Sequence, residues 1–420
     1  MRSCLAPTDI ILQAFHWNLV KTSGTGTLRG SDKSWYMILT GFAQHIAELG
    51  FTVIYLPPPW IDRSTWENGD DYGGGEGYFW SDFDLNSFYG TEEELRTLVE
   101  QCHQVGIKVI VDIVTNHRDY KRMTRDIWDY PGESWRACPQ KQSRAKIFLA
   151  GDADIDHSCF RVQSCFIHNL NRLVVECNVD GFRWDQIYGM DPDLFNQWIT
   201  NLQKAEIISI GEYWPRLEKD IRCGPLEDFD PLVERYGVDP IDRVIGWASD
   251  TSSHVLDYRF KEMVQRHDVQ YLDYGLNTVN VEWIRKSMVT FVENHDTGMS
   301  PLCRVGRMGQ MRWPCSEQHK PFAYTFMLCG PGVPMVYWPD LFDFGHYHLI
   351  AQLLRIRKNY GVAADCKWCA SSRGPNRLSG TILDSDDHPI FELGFGELAS
   401  SNLERKNILD SASLIRIATF

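Results

Sequence analysis

Ile107-Lys108-Val109-Ile110-Val111-Asp112-Ile113-Val114 is an almost unbroken apolar run that passes directly into Thr115-Asn116-His117. A strand with one face in water alternates apolar and polar residues. A run like this reads instead as a strand covered on both faces, the habit of parallel sheets flanked by helices. The segment before it agrees. Thr91 and Glu94 form a capping box ahead of Leu95, Leu98, Val99, Cys102 and Val105, and Gly106 stops that helix.

The same alternation extends both ways. Upstream, Ile10 to Phe15 reads as a first strand and Trp35 to Leu49 as a helix with Ile38, Phe42, Ile46 and Leu49 at helical spacing. Phe51 to Leu56 is a second strand, closed by Pro57-Pro58-Pro59. Downstream, a helix from Val162 to Cys177 leads into a fourth strand, Val179 to Trp184; Asp191-Pro192 starts a helix through Trp198 and Leu202, and Ile207 to Gly211 is a fifth strand. Val255 to Tyr258, Val289 to Val292 and Val333 to Tyr337 follow as sixth, seventh and eighth, with Leu349 to Ile356 as a closing helix. Eight such units predict an α/β fold, a (β/α)8 TIM barrel, with an open doubly wound sheet as the alternative.

Two stretches break the pattern. Pro131, Gly132, Pro139 and Gly151 punctuate a polar segment too long for a simple connection, which predicts an inserted irregular subdomain after strand three. After Gly361 short alternating runs, with turns at Asp384 to His388 and Gly394 to Gly396, predict a small C-terminal β domain. The expected division is a barrel over 1–117 and 161–360, an insertion (subdomain B) over 118–160 and a β domain over 361–420.

A formal net charge of -14 without a sustained Lys/Arg run argues against nucleic acid and anionic membranes as partners, and a monomer is expected. No apolar run is long enough for a membrane span, and Met1 to Thr8 shows no secretory leader, so an intracellular protein is expected unless the N-terminus is incomplete. The twelve Cys are scattered; only Cys366 and Cys369 form a C-x-x-C, and reduced buried thiols are expected rather than a zinc site or disulfides. Gly73 to Gly77 lacks the ending of a phosphate loop. Trp60, Trp66, Tyr78, Trp80 and Trp214 fall in apparent loops, where aromatics either fill the core or stack on flat ligands such as sugars.

Barrels of this kind carry their chemistry at the C-terminal ends of the strands. Strand three ends Asp112 to His117, strand four Arg183-Trp184-Asp185, strand five Gly211-Glu212, and strand seven Glu293-Asn294-His295-Asp296. Arg183 and Asp185, at i and i+2, share a face, and the cation favours the ionised carboxylate. An isolated pair of this sort is commonly a plain salt bridge; four polar strand ends on one rim make a site. One ionised and one protonated carboxyl, roughly 5 Å apart, perform retaining glycoside hydrolysis, and roughly 6.5 to 9.5 Å indicates inversion. Glu212 beside Tyr213 and Trp214 reads as the protonated member and Asp185 as the ionised one.

In order and spacing, D-I-V-T-N-H (112–117), G-F-R-W-D (181–185), G-E (211–212) and F-V-E-N-H-D (291–296) resemble the four signature regions of the α-amylase family, glycoside hydrolase family 13. G-Y-F-W-S-D-F (77–83) with Tyr89-Gly90-Thr91 resembles that family's second-strand loop. The resemblance runs from Ile10 to Ala364. Gln13 to Trp17, Gly73 to Trp80, Gly151 to Asp154 and Val336 to Gly345 look most like the bacterial maltotetraose-forming amylases; Asp154-Ile155-Asp156-His157 and Ile113 to Arg118 are similar to plant α-amylases.

The resemblance implies a retaining hydrolase of α-1,4-glucosidic bonds in starch-like α-glucans or maltooligosaccharides. It would make Asp185 the nucleophile, Glu212 the general acid and base, and Asp296 the carboxylate that holds the distorting sugar. Arg183 would orient Asp185, His117 and His295 would bond the sugar, Tyr78 would stack on it, and Trp17 and Asp152 would join the substrate site, Asp152 as a grip on a chain end. It also implies calcium, held by Asn116, Asp154 and the carbonyl of Gly189. Relatives carry further aspartates just upstream of Gly151, where this chain reads Ser143-Arg144-Ala145-Lys146, so Lys146 would replace part of the ion's charge. Glu293 stands where many members have Asp, and Tyr188 where many have a basic residue. An α-glucan transglycosylase would use the same residues, and a non-catalytic glucan-binding or scaffold protein is the remaining alternative.

Overall fold

In the computed structural model eight parallel strands close into a barrel in chain order. They are β1 (Ile11–Gln13), β2 (Val53–Leu56), β3 (Lys108–Val114), β4 (Gly181–Asp185), β5 (Ile208–Gly211), β6 (His254–Leu256), β7 (Met288–Phe291) and β8 (Val333–Tyr337). Pairing of β8 back onto β1, Met335 opposite Ile11, excludes the open sheet. The structure describes residues 4–17, 19, 33–63, 75–119, 155–187, 190–213, 233–237, 239–266, 282–301, 313–374, 377–396, 407–411 and 415–418. Most of the expected insertion over 118–160 lies outside them.

Local chemistry sets the helix ends. Helix Trp35–Leu49 starts where the Ser34 hydroxyl accepts the Met37 N–H and stops at Gly50, whose φ of 103° is open to glycine. The capping box of Thr91 and Glu94 opens helix Glu92–Gln104, and Asp191 caps helix Pro192–Thr200. Helix Phe160–Asn171 runs into a wider π turn, Arg172–Glu176, in place of one continuous helix to Cys177. Tyr258, expected to end strand six, begins a helix instead, because the Asp257 carboxylate accepts the Phe260 N–H at 2.9 Å and caps it.

Strand β4 shows how the barrel aims its polar groups. A Cβ on Gly181 would lie 2.0 Å from the Ile208 carbonyl oxygen, so only glycine lets β4 and β5 meet there. Beyond it the side chains alternate: Trp184 packs edge-on against Phe195 at 5.0 Å, outside the barrel, while Arg183 and Asp185 meet inside it. Trp60 and Trp80 are core rather than ligand platforms. Both are buried, 5.1 Å apart, against Phe83 and Phe166. Trp66 and Trp214 lie outside the described residues.

A five-stranded antiparallel sheet follows: β9 (Lys367–Gly374), β10 (Arg377–Leu383), β11 (Pro389–Gly396), β12 (Asn407–Ser411) and β13 (Ile415–Ala418), ordered β12-β13-β11-β10-β9. Asp384 to His388 is a turn, closed by Asp384 accepting the Asp386 and His388 N–H groups. Gly394 to Gly396 is not a turn but part of β11, drawn into the sheet by the buried Leu393 and Phe395. Phe395 stacks on Phe326 of helix Lys320–Cys329 at 4.2 Å. The nine described cysteines are free thiols. Among the described residues no helix is long and apolar enough to cross a membrane.

Candidate active site

Asp112 of β3 and Arg183 of β4 stand opposite each other in the strand register. From this pair a buried polar cluster grows at the barrel mouth. Arg183, 1% exposed, donates from Nη1 to Asp112 Oδ1 and Asp185 Oδ1, both at 2.8 Å, and its Nη2 pairs with Glu212 Oε1 at 2.7 Å. Asp112 also accepts the hydroxyls of Tyr55 at 2.5 Å and Tyr78 at 2.7 Å. One guanidinium therefore serves three enclosed carboxylates from three adjacent strands.

Burial opposes ionisation of Glu212. Arg183, the Tyr258 hydroxyl, the His295 ring and the Gln186 N–H outweigh it, so its carboxyl titrates below the usual glutamate value. Asp185 goes the other way: burial and the charges of Glu212, Asp112 and Asp296 raise it well above an ordinary aspartate despite Arg183. The expected division was the reverse, with Glu212 protonated. Both carboxyls share Arg183, while Glu212 collects two further donors that favour its ionised form, the Tyr258 hydroxyl and the Gln186 N–H, at 2.7 and 3.2 Å.

Aromatic rings line the other side. Trp17 lies 4.9 Å from Tyr78 and 5.6 Å from His295, and Tyr78 stacks on His295 at 5.2 Å. The Tyr78 hydroxyl meets His295 Nε2 at 2.6 Å, and Gln13 Nε2 lies 2.8 Å from His295 Nδ1. Burial, helped by Arg183, lowers the His295 pKa to about 3, so the ring stays neutral in ordinary buffers. His117, lowered by burial to about 4, packs on Phe79 at 5.0 Å. Asp296 is the most open carboxylate, its side chain 15% exposed against 5% for Asp185 and 4% for Glu212.

Comparison with known proteins fits this geometry. A family model described as alpha amylase, catalytic domain, matches residues 31–126. Glucan 1,4-alpha-maltotetraohydrolase of Stutzerimonas stutzeri is 34% identical over 367 residues, 85% of this chain and 63% of that protein. The chloroplastic alpha-amylase 3 of Arabidopsis thaliana is 30% identical over 375 residues, 83% of this chain and 37% of that one. The chain is similar to the α-amylases over most of its length. It spans less than two thirds of the length of either relative. An alpha-amylase of Geobacillus thermoleovorans shares the fold at 18% identity and a TM-score of 0.65, covering 97% of this chain and 90% of its own.

Of the residues the family resemblance marks, Asp185, Glu212, Asp296, Tyr78, Arg183, His295 and Trp17 come together at the mouth, with His117 beside Phe79. Asp152, Tyr188 and Lys146 lie outside the described residues. The structure adds Tyr55, Gln13 and Tyr258, which the strand-end reading did not single out, and gives contacts to Asp112, which that reading named without a role. Asp112 had a signal: a carboxylate in the middle of an apolar strand must be held by something. Tyr258, one residue beyond the Asp257 cap, had none.

For calcium, Asn116 is the described donor, and Asp154 and Gly189 lie outside. The Asn116 amide leans toward His117 Nδ1 at 3.4 Å, and its backbone oxygen accepts the Ile155 N–H at 2.9 Å. Among the described residues no three His, Cys, Asp or Glu side chains group as an ion would need. Asn116 offers an oxygen of the kind calcium takes, the other two donors lie outside the described residues, and no reaction step is routed through calcium.

Proposed function

We propose that this chain hydrolyses α-1,4-glucosidic bonds of starch-like α-glucans with retention of configuration, in the manner of the maltotetraose-forming amylases. The observation that carries the reading is the sharing of Arg183 by Asp185 and Glu212 at the barrel mouth. In this reading Asp185 attacks the anomeric carbon as Glu212 gives its proton to the departing glycosidic oxygen. Water, losing a proton to Glu212, then attacks the same carbon and releases Asp185. Asp185 and Glu212 share Arg183 and titrate as a pair, and the reactive form is the one in which their single proton is on Glu212. Asp296 holds the sugar's hydroxyls, Trp17 and Tyr78 form its platform, and His117 and neutral His295 act as hydrogen-bond partners rather than acids. Calcium at Asn116, Asp154 and Gly189, and Asp152 as a chain-end grip, belong to the same proposal.

Incubation with soluble starch, following product lengths by chromatography, tests it. A single short oligosaccharide accumulating early supports end-directed cleavage, and a broad ladder internal attack. Lengthened chains would show transfer instead of hydrolysis. No products from any α-glucan, or activity that survives Asp185→Asn, would overturn the reading.

A further inference from the structure

We propose that Tyr258 is a positioning residue for Glu212, its hydroxyl fixing the carboxylate and tying it to the loop that carries Asp296. The inference rests on the hydrolase reading above. The Tyr258 hydroxyl lies 2.7 Å from Glu212 Oε1 and 3.3 Å from Asn294 Nδ2. Asn294 Oδ1 accepts the backbone N–H groups of Asp296 at 3.0 Å and Thr297 at 2.9 Å, which settles the orientation of its amide: the nitrogen faces Tyr258. An amide nitrogen only donates, so the tyrosyl oxygen accepts from Asn294 and its own proton points to Glu212.

Tyr258 is itself locked. It is buried, its ring edge-on to Phe291 of β7 at 5.1 Å. One turn along the same helix, Tyr258–Arg266, Lys261 pairs with Glu293 at 2.8 Å in full burial. Glu293 accepts the Thr297 hydroxyl at 2.7 Å, and that hydroxyl accepts the Asn294 N–H at 3.1 Å. A single helix thus grips the β7 loop through Lys261 and the β5 carboxylate through Tyr258, residues i and i+3 on one face. The other groups facing Glu212 are Arg183 and Asp185 from β4, Asp112 through Arg183 from β3, Tyr55 from β2 and His295 from the β7 loop.

Tyr258→Phe in the full chain tests the proposal, since it keeps the ring and removes the donor. A hydrogen bond to a carboxylate favours its ionised form, so its loss moves Glu212 titration to higher pH, by roughly one unit. The primary readout is the 13C resonance of the Glu212 carboxyl in protein labelled at glutamate, assigned with Glu212→Gln, and it does not require turnover. In kcat/KM the acidic limb, set by the lower-titrating carboxyl of the pair, moves up with it. The rate on an unactivated maltooligosaccharide falls on the order of 10-fold, whereas an aryl maltooligoside, whose phenol leaves without a proton, loses less. A Glu212 resonance that titrates as in the unsubstituted chain overturns the proposal, as do equal losses on both substrates. An unsubstituted chain inactive on every glucan while the resonance still moves would sink the hydrolase reading and leave the Tyr258 contact standing.

Discussion

Arg183 and Asp185 stand two residues apart on β4, and their side chains meet at 2.8 Å with the guanidinium 1% exposed. The sequence presents the pair as a salt bridge that keeps a nucleophile ionised and should matter to turnover more than to folding. With Asp112 and Glu212 on the same cation, it must matter to both. Arg183→Leu leaves three enclosed carboxylates without a cation and should lower stability by about 3–5 kcal/mol in denaturant unfolding. Arg183→Lys keeps the charge but cannot fork to all three groups; we expect a folded protein with kcat lower by on the order of 10²-fold. Near-normal turnover in the lysine variant would refute this account.

Asp112 touches Arg183, Tyr55 and Tyr78 and is fully buried behind them. It therefore acts through its neighbours. Asp112→Asn removes the charge with little change of shape, and should lower kcat on starch by on the order of 10²-fold with KM nearly unchanged, because Arg183 and Tyr78 lose their anchor. A raised KM with intact kcat would place Asp112 against substrate instead.

What the sequence made legible follows from what is local. Strand β8 spans Val333–Tyr337 as read, and helix Trp35–Leu49 matches end to end, because apolar periodicity and caps are written in neighbouring residues. The strand-end rule named Asp185, Glu212 and Asp296, which the structure places at one barrel mouth, for the same reason. Misplaced features depended on contacts far along the chain. Trp60 and Trp80 look like loop aromatics until Phe166 closes over them, and Gly394 looks like a turn until Ser379 and Arg416 pair beside it. The proton division between Asp185 and Glu212 was likewise illegible. Arg183 does read as a partner of Asp185, but its reach to Glu212 crosses to the end of β5, and the Tyr258 hydroxyl comes from helix Tyr258–Arg266.

His254 of β6 is 8% exposed, and burial lowers its pKa to about 4 from 6.5. A histidine whose folded pKa is depressed costs nothing above the unfolded pKa. As pH falls below 6.5 the unfolded chain takes up a proton that the folded one refuses, so stability declines until pH 4. By pH 5 this one group should cost about 2 kcal/mol. The drop in unfolding free energy between pH 7 and pH 5 should accordingly be smaller by that amount in His254→Gln. An identical drop in both proteins would show that His254 does not contribute.

Calcium is best tested through stability. Ile155 lies beside Asn116, its N–H bonding the Asn116 carbonyl at 2.9 Å, so an ion near Asn116 would fasten the end of β3 to the segment that precedes helix Phe160–Asn171. Ligand binding to the folded state alone stabilises it by about 2.7 kcal/mol when the ligand is 100-fold above its Kd. We therefore expect Tm to rise with calcium after chelation, to respond far less to magnesium, which demands tighter octahedral geometry, and to lose the response in Asn116→Ala. Lys146→Asp should enlarge the response if Lys146 replaces part of the ion's charge. Equal Tm in chelator and in millimolar calcium would mean that no ion binds at Asn116, and that the connection holds without one.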